Sequence, residues 1–208
     1  MLPVYRQLNF GGELAEANRG ADHMLDDAII RYCAPTLAGI KTGNVFSVHG
    51  LREGIINEIR SVNRVLIKKG LRIIPVKETQ KYTLIYLYRP ARLRKDLDCP
   101  EAMSILAGKG YKVKSPEQCL VQLVKHLRED KDFPHEIGLF LGYPPYDVKC
   151  FMKDPCDGVK CVGCWKAYGD REEACRTFAK YNKCTDIYIK EASKGKTLEE
   201  LMVAEACG

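Results

Sequence analysis

The chain lacks an apolar run near 18 residues, the length that a helix needs to cross a bilayer, so the sequence predicts no membrane span. Residues 1–20 lack the charged-then-apolar pattern of a secretory signal, and we expect a cytoplasmic location. Internal repeats and low-complexity tracts are also missing, which argues against a repeat architecture. The net charge is only +6 and the basic residues form no continuous stripe, which argues against a nucleic-acid binder.

Cysteine, by contrast, is abundant and unevenly placed. The chain has ten cysteines, six of which fall between positions 150 and 184. In a protein without a secretory signal these thiols should stay reduced, so a disulfide framework is not expected. Thiolates are the softest common metal ligands and strong nucleophiles. The clustering therefore favours metal binding or thiol redox chemistry.

Apolar spacing and turn residues indicate mixed secondary structure. A helix over 51–69 ends at Gly70, and a capping serine and a proline open a helix over 115–129. Pro35 is expected to end a helix over 22–32, which leaves 33–44 as a loop. Further helices are predicted over 91–97, 100–108 and 170–182 and from 197, with two short ones within 133–152. Strands are predicted over 45–49, 71–76, 82–88 and 185–190.

This order predicts an α+β fold with a small antiparallel sheet of split β-α-β type, covered by helices. The C-terminal part is expected to be helical and rich in cysteine. We divide the chain into a loose leader over 1–20, one domain over 21–192 with the cysteine-rich segment 150–184, and a C-terminal helix or tail over 193–208.

Four cysteines form the pattern C-x5-C-x4-C-x2-C: Cys150, Cys156, Cys161 and Cys164. Four thiolates can complete a tetrahedral zinc site or hold an iron–sulfur cluster. The pair Cys161 and Cys164 can alternatively cycle between dithiol and disulfide. Trp165, the only tryptophan of the chain, follows directly and could shield the sulfur atoms or simply pack in the core.

A second candidate site combines Cys33 with His135 and Glu136. A cysteine nucleophile, a histidine base and an orienting carboxylate would form a thiol-dependent hydrolase or transferase. The predicted position of Cys33 at a helix C-terminus opposes a thiolate. A third possibility is a non-catalytic partner-binding protein, which would present an exposed apolar patch.

The loop over residues 39–44 resembles an anion-binding turn. Lys41, Thr42 and Asn44 are its polar members, and we name them as candidate cofactor-binding residues. The loop lacks the P-loop pattern, and no helix follows it at once.

Several long motifs resemble a family of uncharacterised proteins, the domain of unknown function 3793 family. The matching stretches are CAPTLAGIKTGN over 33–44, YLYRP over 86–90, FPHEIGLFLGYP over 133–144 with Asp147 and Val148, GCWKAYGD over 163–170 and YNKC over 181–184. The resemblance covers about residues 25–190. It implies a bacterial, cytoplasmic and soluble protein, found mostly in anaerobes, and names no activity. Its association with flavodoxin-like and iron-uptake proteins implies iron or redox work, with a flavodoxin-like protein as a redox partner.

Overall fold

The computed structural model of the protein describes residues 24–49, 52–129 and 132–204. The predicted leader over 1–20 and Cys207 lie outside these residues. The strands are β1 (Gly43–Val48), β2 (Arg72–Glu78), β3 (Thr83–Tyr88), β4 (Cys161–Val162) and β5 (Lys166–Ala167). The helices are α1 (Met24–Leu37), α2 (Arg52–Leu66), α3 (Pro90–Leu97), α4 (Pro100–Gly108), α5 (Pro116–Glu129), α6 (Ile137–Phe140), α7 (Pro145–Lys153), α8 (Arg171–Ser193) and α9 (Leu198–Leu201).

The main sheet has the order β1-β3-β2, and β3 pairs antiparallel with both neighbours. Helix α2 connects β1 to β2, and β3 lies between them. This is the split β-α-β arrangement, so the predicted α+β class is confirmed. The hairpin β2–β3 contains an irregularity between Pro75 and Lys77, which is consistent with a proline that cannot donate a backbone hydrogen bond.

The central strand β3 shows why helices must cover both faces of the sheet. Its side chains alternate between two apolar clusters, and five of its six residues are buried. Leu84 and Tyr86 pack with α3–α7, whereas Ile85 and Leu87 pack with α1, α2 and α9. A strand with apolar residues on both faces cannot face water on either side.

Helix α1 continues past Pro35 to Leu37, so the predicted helix end and the predicted loop start at Cys33 were wrong. Tertiary contacts outweigh the helix-breaking effect of Pro35. Ala34 and Leu37 are fully buried, and the buried Arg89 guanidinium donates hydrogen bonds to the carbonyls of Thr36 and Leu37, both at 2.7 Å. These bonds satisfy carbonyls that the end of a helix leaves without a partner.

Helix α8 runs to Ser193, so the strand predicted over 185–190 was also wrong. The alternating pattern there was misleading, because Ile187 and Ile189 remain exposed while Tyr188 packs against the core. Helix α8 begins after Asp170, whose side chain accepts hydrogen bonds from the backbone N–H groups of Glu172 and Glu173. Its contact with α1 brings the cysteine-rich segment to the loop between α1 and β1.

Candidate functional site

The cysteine-rich segment is held to the rest of the protein by the buried carboxylate of Asp147 on α7. One of its oxygens accepts a hydrogen bond from Trp165 Nε1 at 2.7 Å, and the other accepts from the backbone N–H groups of Tyr168 and Gly169 at 2.9 Å each. Hydrogen bonds to an ionised acceptor are stronger than neutral ones. Asp147 therefore fixes the β4–β5 hairpin relative to α7.

Aromatic packing and a tight backbone approach fix the same hairpin against α8. Trp165 stacks on Tyr143 with ring centroids 5.0 Å apart and meets Phe178 edge-on at 4.5 Å. A Cβ atom on Gly163 would lie 2.2 Å from a Phe178 ring carbon, so the backbone passes directly over this ring. Trp165 is thus a core residue of the C-terminal module, which comprises the β4–β5 hairpin and α8. This agrees with one of the two interpretations drawn from sequence.

The hairpin places Cys161 against Cys175 of α8. Their Sγ atoms are 2.9 Å apart, closer than a usual contact between two thiols. The hydrogen bond with Cys175 raises the pKa of the Cys161 thiol above its usual value, with a smaller contribution from burial. Cys161 is partly exposed and Cys175 is exposed. The sequence predicted a different pair, Cys161 with Cys164.

The four cysteines of the predicted metal site lie in three different surroundings. Cys150 and Cys156 are both near Tyr168, whose pKa burial and these thiols raise to about 12. Cys161 contacts Cys175, whereas Cys164 lies near Lys41. In the part of the chain that the structure describes, no group of three or more His, Cys, Asp or Glu side chains is placed to hold a metal ion. As positioned, these residues do not fit a four-thiolate centre, and the metal site stays a prediction.

The predicted anion loop is well defined, and two of its three candidate residues line a pocket. Lys41 is only 6% exposed, and its ammonium group donates a hydrogen bond to Asn44 Oδ1. Asn44 in turn donates from Nδ2 to the Tyr32 carbonyl, which fixes its orientation. The third candidate, Thr42, donates its hydroxyl hydrogen to Asp96 and does not line the pocket.

The pocket around Lys41 has a volume of about 290 Å3 and lies between α1, β1 and α8. The ammonium group faces the rings of Tyr143 and Tyr181, at 5.4 and 5.9 Å from their centroids. Burial lowers the pKa of Lys41 to about 8, and the nearby Cys164 and Cys33 thiols oppose this shift. An amine with this pKa is partly neutral near physiological pH.

The thiol-hydrolase candidates are not arranged as a catalytic triad. Cys33 is fully buried in the α1 core, and burial raises its pKa well above the usual value, which opposes a thiolate. Glu136 accepts a hydrogen bond from the Tyr111 hydroxyl at 2.9 Å and lies 3.5 Å from His126. His135 lines a separate cavity beside Phe151, and its buried Nδ1 atom has no hydrogen-bond partner within the described residues.

Three residues have roles that were not predicted from sequence: Asp147, Cys175 and Arg89. Asp147 and Arg89 are charged residues inside the long motifs, and such residues would be expected to have a buried partner. Cys175 carried no signal of its own, because its partner Cys161 is fourteen positions away in the sequence.

The fold and this site define a class of protein: an α+β protein with a split β-α-β sheet and a C-terminal module that carries closely spaced thiols. The model of the family described as "Protein of unknown function (DUF3793)" matches residues 29–202, and the chain belongs to this family. The predicted family membership is thereby confirmed. No curated protein and no solved structure matches the chain. None of the helices within the described ranges has the length and apolar character needed to span a membrane.

Proposed function

We propose that this protein is a dithiol–disulfide redox protein in which Cys161 and Cys175 form the reactive pair. The supporting observation is the 2.9 Å separation of their Sγ atoms. A disulfide bond is about 2.05 Å long, so the two atoms need to approach by less than about 1 Å to form one. Both thiols are accessible to a reactant, unlike Cys33 and Cys119, which are buried.

The proposed reaction is thiol–disulfide exchange with an external disulfide. The more exposed thiol, Cys175, loses its proton to solvent and attacks one sulfur of the incoming disulfide, which releases the other sulfur as a thiolate. Cys161 then loses its proton and attacks the Cys175 sulfur, and the second external thiolate leaves. The protein loses two hydrogen atoms in total, and one external disulfide becomes two thiols.

We place this reaction in the cytoplasm of a bacterium, as the sequence suggested, where a reducing environment would keep the pair in its dithiol form. Regeneration of the dithiol from the disulfide requires two electrons and two protons. The flavodoxin-like partner suggested by the family resemblance is our proposed electron donor. The partner-binding and hydrolase alternatives stay predictions, because no contact described above favours them.

Peptide mapping after equilibration in glutathione redox buffers tests the proposal. Reduced protein is incubated with defined ratios of reduced to oxidised glutathione, alkylated, digested and examined by mass spectrometry. We expect a cross-linked pair of peptides containing Cys161 and Cys175. The Cys164→Ser variant should form the same cross-link, whereas Cys161→Ser should stop at a mixed disulfide between glutathione and Cys175.

Two outcomes would contradict the proposal. One is a dominant cross-link between Cys161 and Cys164, which would restore the pairing suggested by sequence proximity. The other is a pair that stays reduced in buffers poised at about −180 mV, a potential at which dithiols of the thioredoxin and glutaredoxin type are largely oxidised. Assays of zinc, iron and labile sulfide in anaerobically purified protein separate this reaction from the four-thiolate centre, which predicts bound metal in a stoichiometric amount.

A further inference from the structure

In the part of the chain that the structure describes, Lys41 is a buried cation without an acidic partner. Within the described residues, its ammonium group donates one hydrogen bond, to the neutral amide of Asn44, and takes part in no ion pair. An ammonium group has three N–H donors, so two remain for a ligand. Burying an unpaired charge is costly, and folded proteins normally supply a counter-charge.

The pocket around Lys41 has space for a ligand that carries this counter-charge. Apolar walls come from Pro35, Val45 and Leu141, and the Tyr143 and Tyr181 rings flank the ammonium group. A volume of about 290 Å3 is close to the lower end of the range for small-molecule pockets. The pocket therefore combines a fixed cation with flat apolar surfaces.

The rim of the pocket carries one positively and one negatively charged side chain. Arg31 of α1 and Asp186 of α8 are both exposed and line the mouth of the pocket. A bound anion would meet Lys41 in the interior, away from the exposed Asp186 carboxylate. Arg31 offers a guanidinium group that could hold a second anionic group of the ligand near the entrance.

We propose that this pocket binds a small organic oxyanion, a carboxylate or a phosphate ester with a flat apolar body, whose charged group pairs with Lys41. The buried ammonium group would supply the electrostatic attraction, and the tyrosine rings would contact the apolar part of the ligand. Asn44 positions the ammonium group through their hydrogen bond. The site is distinct from the Cys161–Cys175 pair, neither member of which lines the pocket.

Trp165 provides an intrinsic reporter for the test, because it is the only tryptophan and stacks on Tyr143, which lies under the Lys41 ammonium group. Fluorescence titrations use acetate, benzoate, inorganic phosphate and phenyl phosphate at constant ionic strength, set with potassium chloride. The acetate and phosphate arms distinguish the type of oxyanion, and the two aromatic probes report on the apolar walls. We expect saturable binding, with each aromatic probe at least five-fold tighter than its small counterpart.

Lys41→Met should weaken binding at least ten-fold while keeping a folded protein, since methionine has a similar length and removes a buried charge. Lys183→Met, an exposed lysine of α8 that does not line the pocket, is the matched control and should bind as the wild type does. Circular dichroism checks the fold of both variants. Non-saturable responses with every probe, or equal affinities in wild type and Lys41→Met, would overturn the proposal. Redox mapping of Cys161 and Cys175 is unaffected by either result.

Discussion

Arg89 is the largest of the almost fully buried side chains, and its role is to connect segments that are distant in sequence. Its guanidinium group donates hydrogen bonds at 2.7 Å to the carbonyls of Thr36, Leu37 and Val203. Arginine holds several acceptors at once because its five N–H donors have a fixed planar geometry. One residue therefore joins the end of α1, the start of α3 and the segment after α9.

Replacing Arg89 by methionine should lower the free energy of unfolding by about 3–5 kcal/mol, because several buried carbonyls lose a charged donor at once. Urea denaturation monitored by circular dichroism measures the change. Arg94→Met is the matched control: Arg94 is exposed and pairs with the exposed Glu117 at 2.9 Å, and such pairs contribute less than about 1 kcal/mol. Equal losses in the two variants would contradict the proposed role of Arg89.

Lys41 should give the protein a distinctive dependence of stability on pH. Its pKa is about 8 in the folded state and 10.5 for an unperturbed lysine, with burial as the main cause. Between these pH values the unfolded chain binds more protons than the folded protein, so the free energy of unfolding contributed by this group rises with pH. Below pH 8 the folded protein bears the full cost of burying the charge.

The measurable quantity is the free energy of unfolding of the wild type minus that of Lys41→Met, taken at several pH values under reducing conditions. We expect this difference to increase by up to about 3 kcal/mol between pH 8 and 10.5. Subtraction removes most of the contribution from thiols and tyrosines, which ionise in the same range in both proteins. If this difference stays constant or falls with pH, Lys41 is not a buried lysine with a lowered pKa.

At the level of elements, the position of the β4–β5 hairpin depends on the close packing of Gly163 against Phe178 of α8. Gly163→Ala would place a methyl group 2.2 Å from the Phe178 ring, so the hairpin or the ring must move. We expect a loss of about 1–3 kcal/mol in the free energy of unfolding, as for other overpacked core sites. The reduced protein should also form the Cys161–Cys175 disulfide more slowly, because the hairpin carries Cys161.

Gly108→Ala is the control for this change. A Cβ atom at Gly108, in the last turn of α4, would have no heavy atom within 4 Å, so stability should stay unchanged or rise slightly. Denaturation curves of the two alanine variants give the comparison. A Gly163→Ala variant as stable as the wild type would show that the module tolerates a larger separation between hairpin and helix.

The elements predicted best from sequence are those whose ends have a local cause. Gly70 ends the helical run after α2 in a left-handed conformation, as predicted. Thr197 and Glu200 form a capping box at α9, where a final helix was predicted from residue 197. By contrast, α1 continues through Pro35 because Arg89 satisfies its terminal carbonyls, and no local signal reports a partner more than fifty positions away.

The candidate site shows the same limit of prediction from local sequence. The contact between Lys41 and Asn44 has a local cause, because the two residues are only three positions apart, whereas their role in binding a cofactor stays a prediction. The thiol pair could not, because its members lie on a hairpin and on a helix whose packing depends on Trp165, Phe178 and Gly163. Sequence proximity favoured Cys164 as the partner of Cys161, but the turn between them directs Cys164 toward Lys41.

At the scale of the whole molecule, oxidation of the proposed pair should stabilise the fold. A bond between Cys161 and Cys175 would close a loop of about 15 residues, which restricts the unfolded chain by up to about 3 kcal/mol in the entropy model. For a protein of this size, each kcal/mol raises the melting temperature by about 2–4 °C. We therefore expect the oxidised protein to melt about 2–10 °C above the reduced protein.

Calorimetry or thermal circular dichroism of both redox forms measures this shift, and serine variants assign it. Cys175→Ser should remove the difference between oxidising and reducing conditions, whereas Cys184→Ser, a partly buried cysteine on the same helix, should preserve it. An oxidised form that melts lower than the reduced form would mean that the disulfide strains the module. Since Trp165 and Phe178 pack beside the pair, such strain would also change the tryptophan emission, so the two measurements together distinguish a stabilising bond from a distorting one.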